Sequence, residues 1–263
     1  MIFDTHAHYD NYKFKDDRDG ILLSLPGAGV GRVLNPGCNL ESSKAAMDLS
    51  KRYDFVYAAV GIHPEDCGDA DENMLEKLRN LIENPGGAKI AAIGEIGLDY
   101  YRPENPDRDL QKFILKKQLD MAREYKLPVI IHDREAHGDC MEIIREYKDI
   151  TGVFHCYSGS AEMALELTRL GWYFGFDGPV TYPNARKAMD VVQAIPEDRI
   201  LIETDSPYLS PVPLRGKRND SGNLIYIIKK LAEWRNISPE RLEEITWENG
   251  CKLFKINPRL TDV

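Results

Sequence analysis

Four histidines, His6, His8, His132 and His155, and two carboxylates, Glu95 and Asp205, fall at or near the carboxyl ends of predicted strands. His6 and His8 stand two apart on an extended segment, so strand alternation turns both rings the same way. Imidazole nitrogen with carboxylate oxygen suits zinc, manganese, cobalt or iron. Six ligands exceed what a single tetrahedral ion uses. The chemistry implied is water activation by two divalent ions roughly 3.5–4 Å apart, bridged by a carboxylate or hydroxide. Any one of these histidines alone reads as a satisfied core or surface residue. Their joint placement on a face that normally wants Val, Ile and Leu carries the metal reading, because cations offset the cost of desolvating so many polar groups.

The elements that must position them alternate along the chain. Strand candidates lie at 2–9, 31–36, 55–63, 89–98, 128–132, 151–156, 172–177 and 200–205. Helical patterns fall between them near 41–53, 71–83, 107–125, 160–170 and 184–194, with two more after the last strand. In 107–125, Leu110, Phe113, Ile114, Met121, Ala122 and Tyr125 keep to one predicted face. Eight strand–helix repeats in this length fit an α/β fold of the (β/α)8 TIM-barrel type, whose carboxyl-end face carries active sites. An open doubly wound sheet is the alternative. No linker or composition shift divides the chain, so one domain over 1–263 is expected.

The chain has 263 residues, with 43% apolar and 29% charged, a balance that excludes a fibre or a disordered tail and permits a sizeable core. Its formal charge of −9 argues against a broad electrostatic grip on duplex nucleic acid, although a local basic patch or a bound metal can still hold phosphate. No window reads as a membrane span and the first residues show no signal peptide, so a cytoplasmic protein is expected. Cys38, Cys67, Cys140, Cys156 and Cys251 are scattered without a CxxC and signal neither disulfides nor a thiolate zinc site. GAGVG (27–31) precedes a strand and reads as a turn, because a phosphate loop would follow one.

The segments FDTHAH (3–8), VGIHP (60–64), GEIGLDYYR (94–102), IIHDRE (130–135), FHCYSGS (154–160), ETDSPYL (203–209) and RGKRN (215–219) occur in an order that resembles the TatD family of metal-dependent nucleases, within the amidohydrolase-like barrels. The resemblance runs over nearly the whole chain. It implies His6, His8 and Asp205 as ligands of one metal, Glu95 as a bridge, and His132 and His155 as ligands of the second, with zinc, manganese or magnesium as the ions. Glu203 matches an auxiliary ligand or deeper supporting carboxylate. The implied activity is metal-dependent hydrolysis of DNA, expected here as 3′–5′ exonuclease action on single-stranded ends. Departures from the family pattern are Asp133 and Glu135 after the His132 segment, and Asp220, Ser221 and Gly222 after RGKRN. They fall in loops expected to contact substrate.

Within that reading Asp205 is the expected general base, with Glu203 as the weaker choice. His63 is assigned to phosphate binding or to protonation of the leaving oxygen, against a turn-ordering role. Arg134 is assigned to phosphate, against a salt bridge to Glu135, Asp139 or Glu142. Arg215, Lys217 and Arg218 form a basic cluster suited to a nucleic-acid backbone. Among Tyr9, Tyr100, Tyr101, Tyr157 and Tyr208, one or two base-stacking platforms are expected. His137 reads as a surface or capping residue. The alternatives are an amidohydrolase or esterase of a small molecule, an RNA-directed nuclease, and a non-catalytic metal-binding scaffold.

Overall fold

The computed structural model describes residues 1–259; residues 260–263, which the single-domain expectation also takes in, lie outside the described part. The elements run β1 (Ile2–Asp4), α1 (Arg18–Ser24), β2 (Val30–Pro36), α2 (Leu40–Arg52), β3 (Val56–Val60), α3 (Glu72–Glu83), β4 (Ile90–Asp99), α4 (Arg108–Tyr125), β5 (Val129–Arg134), α5 (His137–Glu146), β6 (Gly152–Phe154), α6 (Ala161–Arg169), β7 (Tyr173–Phe176), α7 (Arg186–Ala194), β8 (Ile200–Ile202), α8 (Leu224–Arg235) and α9 (Pro239–Leu253). The eight strands follow sequence order in one sheet, and the registers are parallel. This is the (β/α)8 TIM-barrel fold class expected from the alternation.

The chain divides into two compact units, residues 1–34 with the chain from 156 onward, and residues 35–155. In the first, β1 pairs β2 and β7 pairs β8. Phe3 of β1 meets the rings of Trp247 and Phe254 edge-on or tilted, at centroid distances of 6.3 and 5.9 Å. Gly250 on α9 permits that approach, because a Cβ there would run into the Phe3 ring. Ser238 caps α9 by accepting from the Arg241 amide, with Pro239 at the first helical position. In the second unit, β3 to β6 pair in succession. Asn39 and Ser42 form a capping box on α2, and Asp107 caps α4.

The regular ladders stop earlier than the sequence pattern suggests. β1 ends at Asp4, β3 at Val60, β6 at Phe154 and β8 at Ile202, so His6, His8, His63, His155 and Asp205 lie beyond the strands. The chain stays pinned there by single bonds from Thr5 N to Ile202 O (3.2 Å), Ala7 N to Leu34 O (3.0 Å) and His8 N to Ser206 O (2.7 Å). Helix α1 has no counterpart in the sequence reading. The predicted face of α4 also needs correction. Phe113 is 46% exposed, and the buried stripe runs through Gln111, Ile114, Leu115, Gln118, Leu119, Met121 and Ala122. Apolar periodicity passed over the two glutamines because their value lies in hydrogen bonding to backbone, not in hydrophobicity.

Candidate metal centres

In the first unit the segment after β1 and the turn after β8 bring His6, His8 and Asp205 together. The Nε2 atoms of His6 and His8 are 3.0 Å apart, and Asp205 Oδ1 stands 3.9 and 3.5 Å from them. One ligand atom from each residue lies within 4.8 Å of the others. Two imidazole nitrogens and a carboxylate oxygen at this spacing fit a divalent cation, whose binding would order lone pairs that otherwise face one another. Asp205 adopts a positive φ of 51°, and its amide donates to His6 O at 2.9 Å. Glu203 is fully buried, and its Oε1 accepts the Cys156 amide at 2.5 Å.

A residue that sequence reasoning passed over organises this cluster. Asp4 is fully buried. Its Oδ1 accepts the amides of His6 (3.3 Å) and Thr204 (3.0 Å). Its Oδ2 accepts the hydroxyls of Thr204 (2.7 Å) and Ser221 (2.6 Å). Burial pushes its carboxyl up to about 7, against the lowering effect of these bonds. Asp4 thus ties the His6 segment to the turn that carries Asp205. Its position two before His6, on the same strand face, was the available signal.

This network corrects the reading of one departure from the family pattern. Ser221 is buried among Asp4 and Tyr9, whose phenol lies 2.8 Å from its hydroxyl, and Asp220 accepts the Gly222 amide. Both residues do structural work in a short 3-10 turn ahead of α8.

In the second unit Glu95 Oε1 gathers three imidazoles: His155 Nε2 at 2.8 Å, His132 Nδ1 at 2.9 Å and His63 Nε2 at 3.4 Å. His132 Nδ1 is 3.2 Å from His155 Nε2. The register of β4 on β5 shifts between Ile93 and Ile96, the stretch that contains Glu95. The opposite nitrogen of His132, Nε2, lies 2.9 Å from Asp99 Oδ2. With Nε2 donating to Asp99, Nδ1 is left as the atom that could ligate a cation, the arrangement by which a second carboxylate can orient a metal-binding imidazole. Burial opposes charge on both partners. Their mutual hydrogen bond nevertheless holds Asp99 below the ordinary carboxylate range and, with Glu95, raises His132 above the ordinary imidazole value.

His63 belongs to this cluster in space, but its own bonds limit its role. Nδ1 accepts the Glu65 amide at 3.2 Å, so the proton sits on Nε2. That nitrogen is a donor, which suits an oxygen acceptor better than a cation.

Two glutamines on α4, one heptad apart, fasten the strand ends beneath these groups. Gln118 Oε1 accepts Ile62 N (2.8 Å) while its Nε2 donates to Ile62 O (3.0 Å), immediately before His63. Gln111 makes the same pair of bonds to Asp99, at 2.8 and 3.0 Å. Sequence reasoning assigned no role to Gln111, Gln118 or Asp99. Asp99 shares strand parity with Glu95, a signal that was present in GEIGLDYYR.

The expected substrate contacts separate into engaged and open groups. Arg134 is exposed and stacks 4.0 Å from the Tyr101 centroid, and Arg215 lies 4.5 Å from that of Tyr182. Among the described residues neither they nor Lys217 make an ion pair. Arg218 instead forms a two-pronged pair with Asp17, at 2.9 and 2.6 Å, and donates to Lys13 O. Asp133, expected to face substrate, has a side chain that is only 6% exposed and lies 2.8 Å from His137 Nδ1. Glu135 is exposed at a positive φ of 57°. Tyr9 and Tyr157 are buried packing residues, Tyr100 donates to Asp139, and Tyr101 and Tyr208 are the exposed rings. All five cysteines are free thiols.

A family model described as TatD related DNase matches residues 3–255. The uncharacterized metal-dependent hydrolase YabD of Bacillus subtilis is 40% identical over 98% of this chain and 100% of that protein. The 3'-5' ssDNA/RNA exonuclease TatD of Cronobacter sakazakii is 34% identical over 97% of this chain and 98% of its own. The crystal structure of the TatD homologue YjjV from Escherichia coli superposes with a TM-score of 0.90 at 31% identity, covering 97% of this chain and 98% of that one.

Proposed function

The chain belongs to the TatD-related DNase family of metal-dependent hydrolases, and on that premise we propose that it cleaves phosphodiester bonds of DNA, working from 3′ ends of single strands with two divalent ions. The carrying observation is the pair of donor sets, His6–His8–Asp205 and Glu95–His132–His155, each with a carboxylate and two imidazoles at ligand spacing. A bridging role for Glu95 is part of the proposal. When bound, the ions, with zinc, manganese and magnesium as candidates, would polarise a phosphoryl oxygen and lower the pKa of the attacking water.

The chain's own residues supply the rest. Asp205, partly exposed, takes the proton of the attacking water. Glu203 is the weaker base, because it is fully buried and already accepts the Cys156 amide. His63, with hydrogen on Nε2, donates to the leaving oxygen or to a phosphate oxygen. Arg134, Arg215 and Lys217 offer exposed guanidinium and ammonium groups to the anionic strand. Exposed Tyr101 and Tyr208 offer stacking faces. These open cations favour an anionic diester over the neutral amide or ester of a small-molecule hydrolase.

The test is metal analysis of the purified protein with 3′- and 5′-labelled DNA and RNA as substrates. The expected result is progressive shortening of single-stranded DNA from the 3′ end, abolished by chelation and restored by divalent metal. Undiminished activity after thorough chelation would refute the two-metal mechanism, and a preference for RNA would reassign the substrate. Among the described residues no helix is long and apolar enough to cross a membrane.

A further inference from the structure

The first unit contains an open-mouthed cavity of about 280 Å³ lined by the loop after β6, the end of β7 and the start of α7. Most of its wall is apolar or aromatic, from Tyr157, Phe176, Val180, Tyr182 and Ala188. Cys156 and Gly175 form the wall next to Glu203. The Cys156 amide donates to the Glu203 carboxylate, and a side chain at position 175 would collide with that carboxylate. One polar edge comes from Asp177, a buried carboxylate near the Cys156 thiol. At the rim, Lys187 is exposed and makes no ion pair among the described residues, and the Arg215 guanidinium lies over the Tyr182 ring.

These features describe a ligand with flat apolar faces, N–H donors along one edge, and an attached anion. The volume is just below the roughly 300 Å³ at which small-molecule sites begin, so it holds one ring system and no second nucleotide. We propose that the cavity receives the base of the terminal nucleotide whose phosphodiester is cleaved, with Asp177 accepting from base N–H groups and Lys187 and Arg215 facing its phosphate. The proposal rests on the phosphodiester reading and deepens it. Cytosine, adenine and guanine present amino donors to a carboxylate, whereas thymine offers only its ring N–H. A base in this cavity cannot remain paired, so a preference for single-stranded or frayed ends follows from the pocket itself.

The experiment compares single-stranded oligonucleotides ending in a normal nucleotide with the same strands ending in an abasic tetrahydrofuran nucleotide. Both present the same phosphodiester. The expected kcat/KM is about tenfold or more higher for the base-bearing end, the scale of one aromatic stacking contact. Ala188→Phe, which fills the cavity, should bring that ratio close to one. Equal rates on the two ends in the natural protein, or an undiminished ratio in a folded Ala188→Phe, would overturn the proposal.

Calorimetric titration of the metal-loaded protein with deoxynucleoside monophosphates, against deoxyribose 5-phosphate, reads the pocket without hydrolysis. Tighter binding of the base-bearing ligands supports it, even if Ala188→Phe does not fold or no DNA is cleaved. Equal binding refutes it. Failure to cleave any DNA, with nucleotides still bound more tightly, would sink the phosphodiester reading alone.

Discussion

The two candidate ligand clusters solve the same problem with supporting carboxylates that face different partners. Around His6, His8 and Asp205, the supporting carboxylate is Asp4, fully buried and bonded only to hydroxyls and amides, with its pKa pushed up to about 7. Around Glu95, His132 and His155, it is Asp99, held ionised by an imidazole. Asp4 fixes backbone: it ties two segments so that their side chains meet. Asp99 fixes a tautomer: it decides which nitrogen of His132 faces the ligand side. A buried carboxylate can therefore brace backbone or orient an imidazole, and its partners reveal which.

The largest effect should come from Asp205, the carboxylate proposed as the stronger candidate for the base. Asp205→Asn should lower kcat by about 10²–10⁴-fold, with an unchanged circular-dichroism spectrum. A rate near that of the natural protein would remove Asp205 from the role of base and leave the two clusters as ligand sets only.

The comparison of supports is sharpened by two isosteric replacements. Asp99→Asn presents an amide donor or a weaker acceptor to His132 Nε2. The imidazole can then carry its proton on Nδ1, where it blocks ligation. A loss of about 10–100-fold in activity or metal affinity is expected, read by activity and by competition with a chromogenic chelator. Asp4→Asn keeps an oxygen for the His6 and Thr204 amides and sets an NH2 against the Thr204 and Ser221 hydroxyls, which can turn to accept from it; its kcat should change by less than about threefold, because Asp4 braces backbone and orients no imidazole. Equal losses in both variants would break the distinction.

A third contrast concerns backbone clamping, which only the second cluster obtains from glutamine. Gln118→Leu would leave the amide and carbonyl of buried Ile62 without their partner, at a cost of about 2 kcal/mol in stability, measured by urea denaturation. Because Ile62 precedes His63, kcat should fall more than KM rises. A stability loss with unchanged kcat would make Gln118 a structural residue alone.

The parts legible in the sequence were those with a periodic or chemical signature. Alternating apolar runs gave eight strands and the fold class, and the histidines with Glu95 and Asp205 were visible as donor types at strand ends. What escaped depended on pairing across distant stretches. Asp4 and Asp99 were each one carboxylate among 43 acidic residues, and neither spacing nor composition says which imidazole or hydroxyl will face them. Gln111 and Gln118 sit inside an apolar helix stripe, where polarity reads as exposure although both satisfy strand-end backbone. Ser221 looked like part of a loop because only tertiary contact with Asp4 and Tyr9 makes it a buried hydroxyl. The same limit applies to charge. Arg215, Lys217 and Arg218 read as one cluster, but Asp17, some 200 residues away in sequence, takes one of the three.

That division gives the smallest and most discriminating expectation. Phosphate contacts by Arg215 and Lys217 would each add about one unit to the slope of log affinity against log salt. Replacing both with alanine should flatten the slope for single-stranded DNA by about two, measured by fluorescence anisotropy across a salt series with a divalent metal that supports binding but not turnover. Arg218→Ala removes a guanidinium whose two prongs are already committed to Asp17 at the surface, so it should cost less than about 1 kcal/mol in stability and leave the slope unchanged. If Arg218→Ala flattens the slope as much as the double replacement does, the Asp17 pair opens on binding and the basic stretch acts as a single unit.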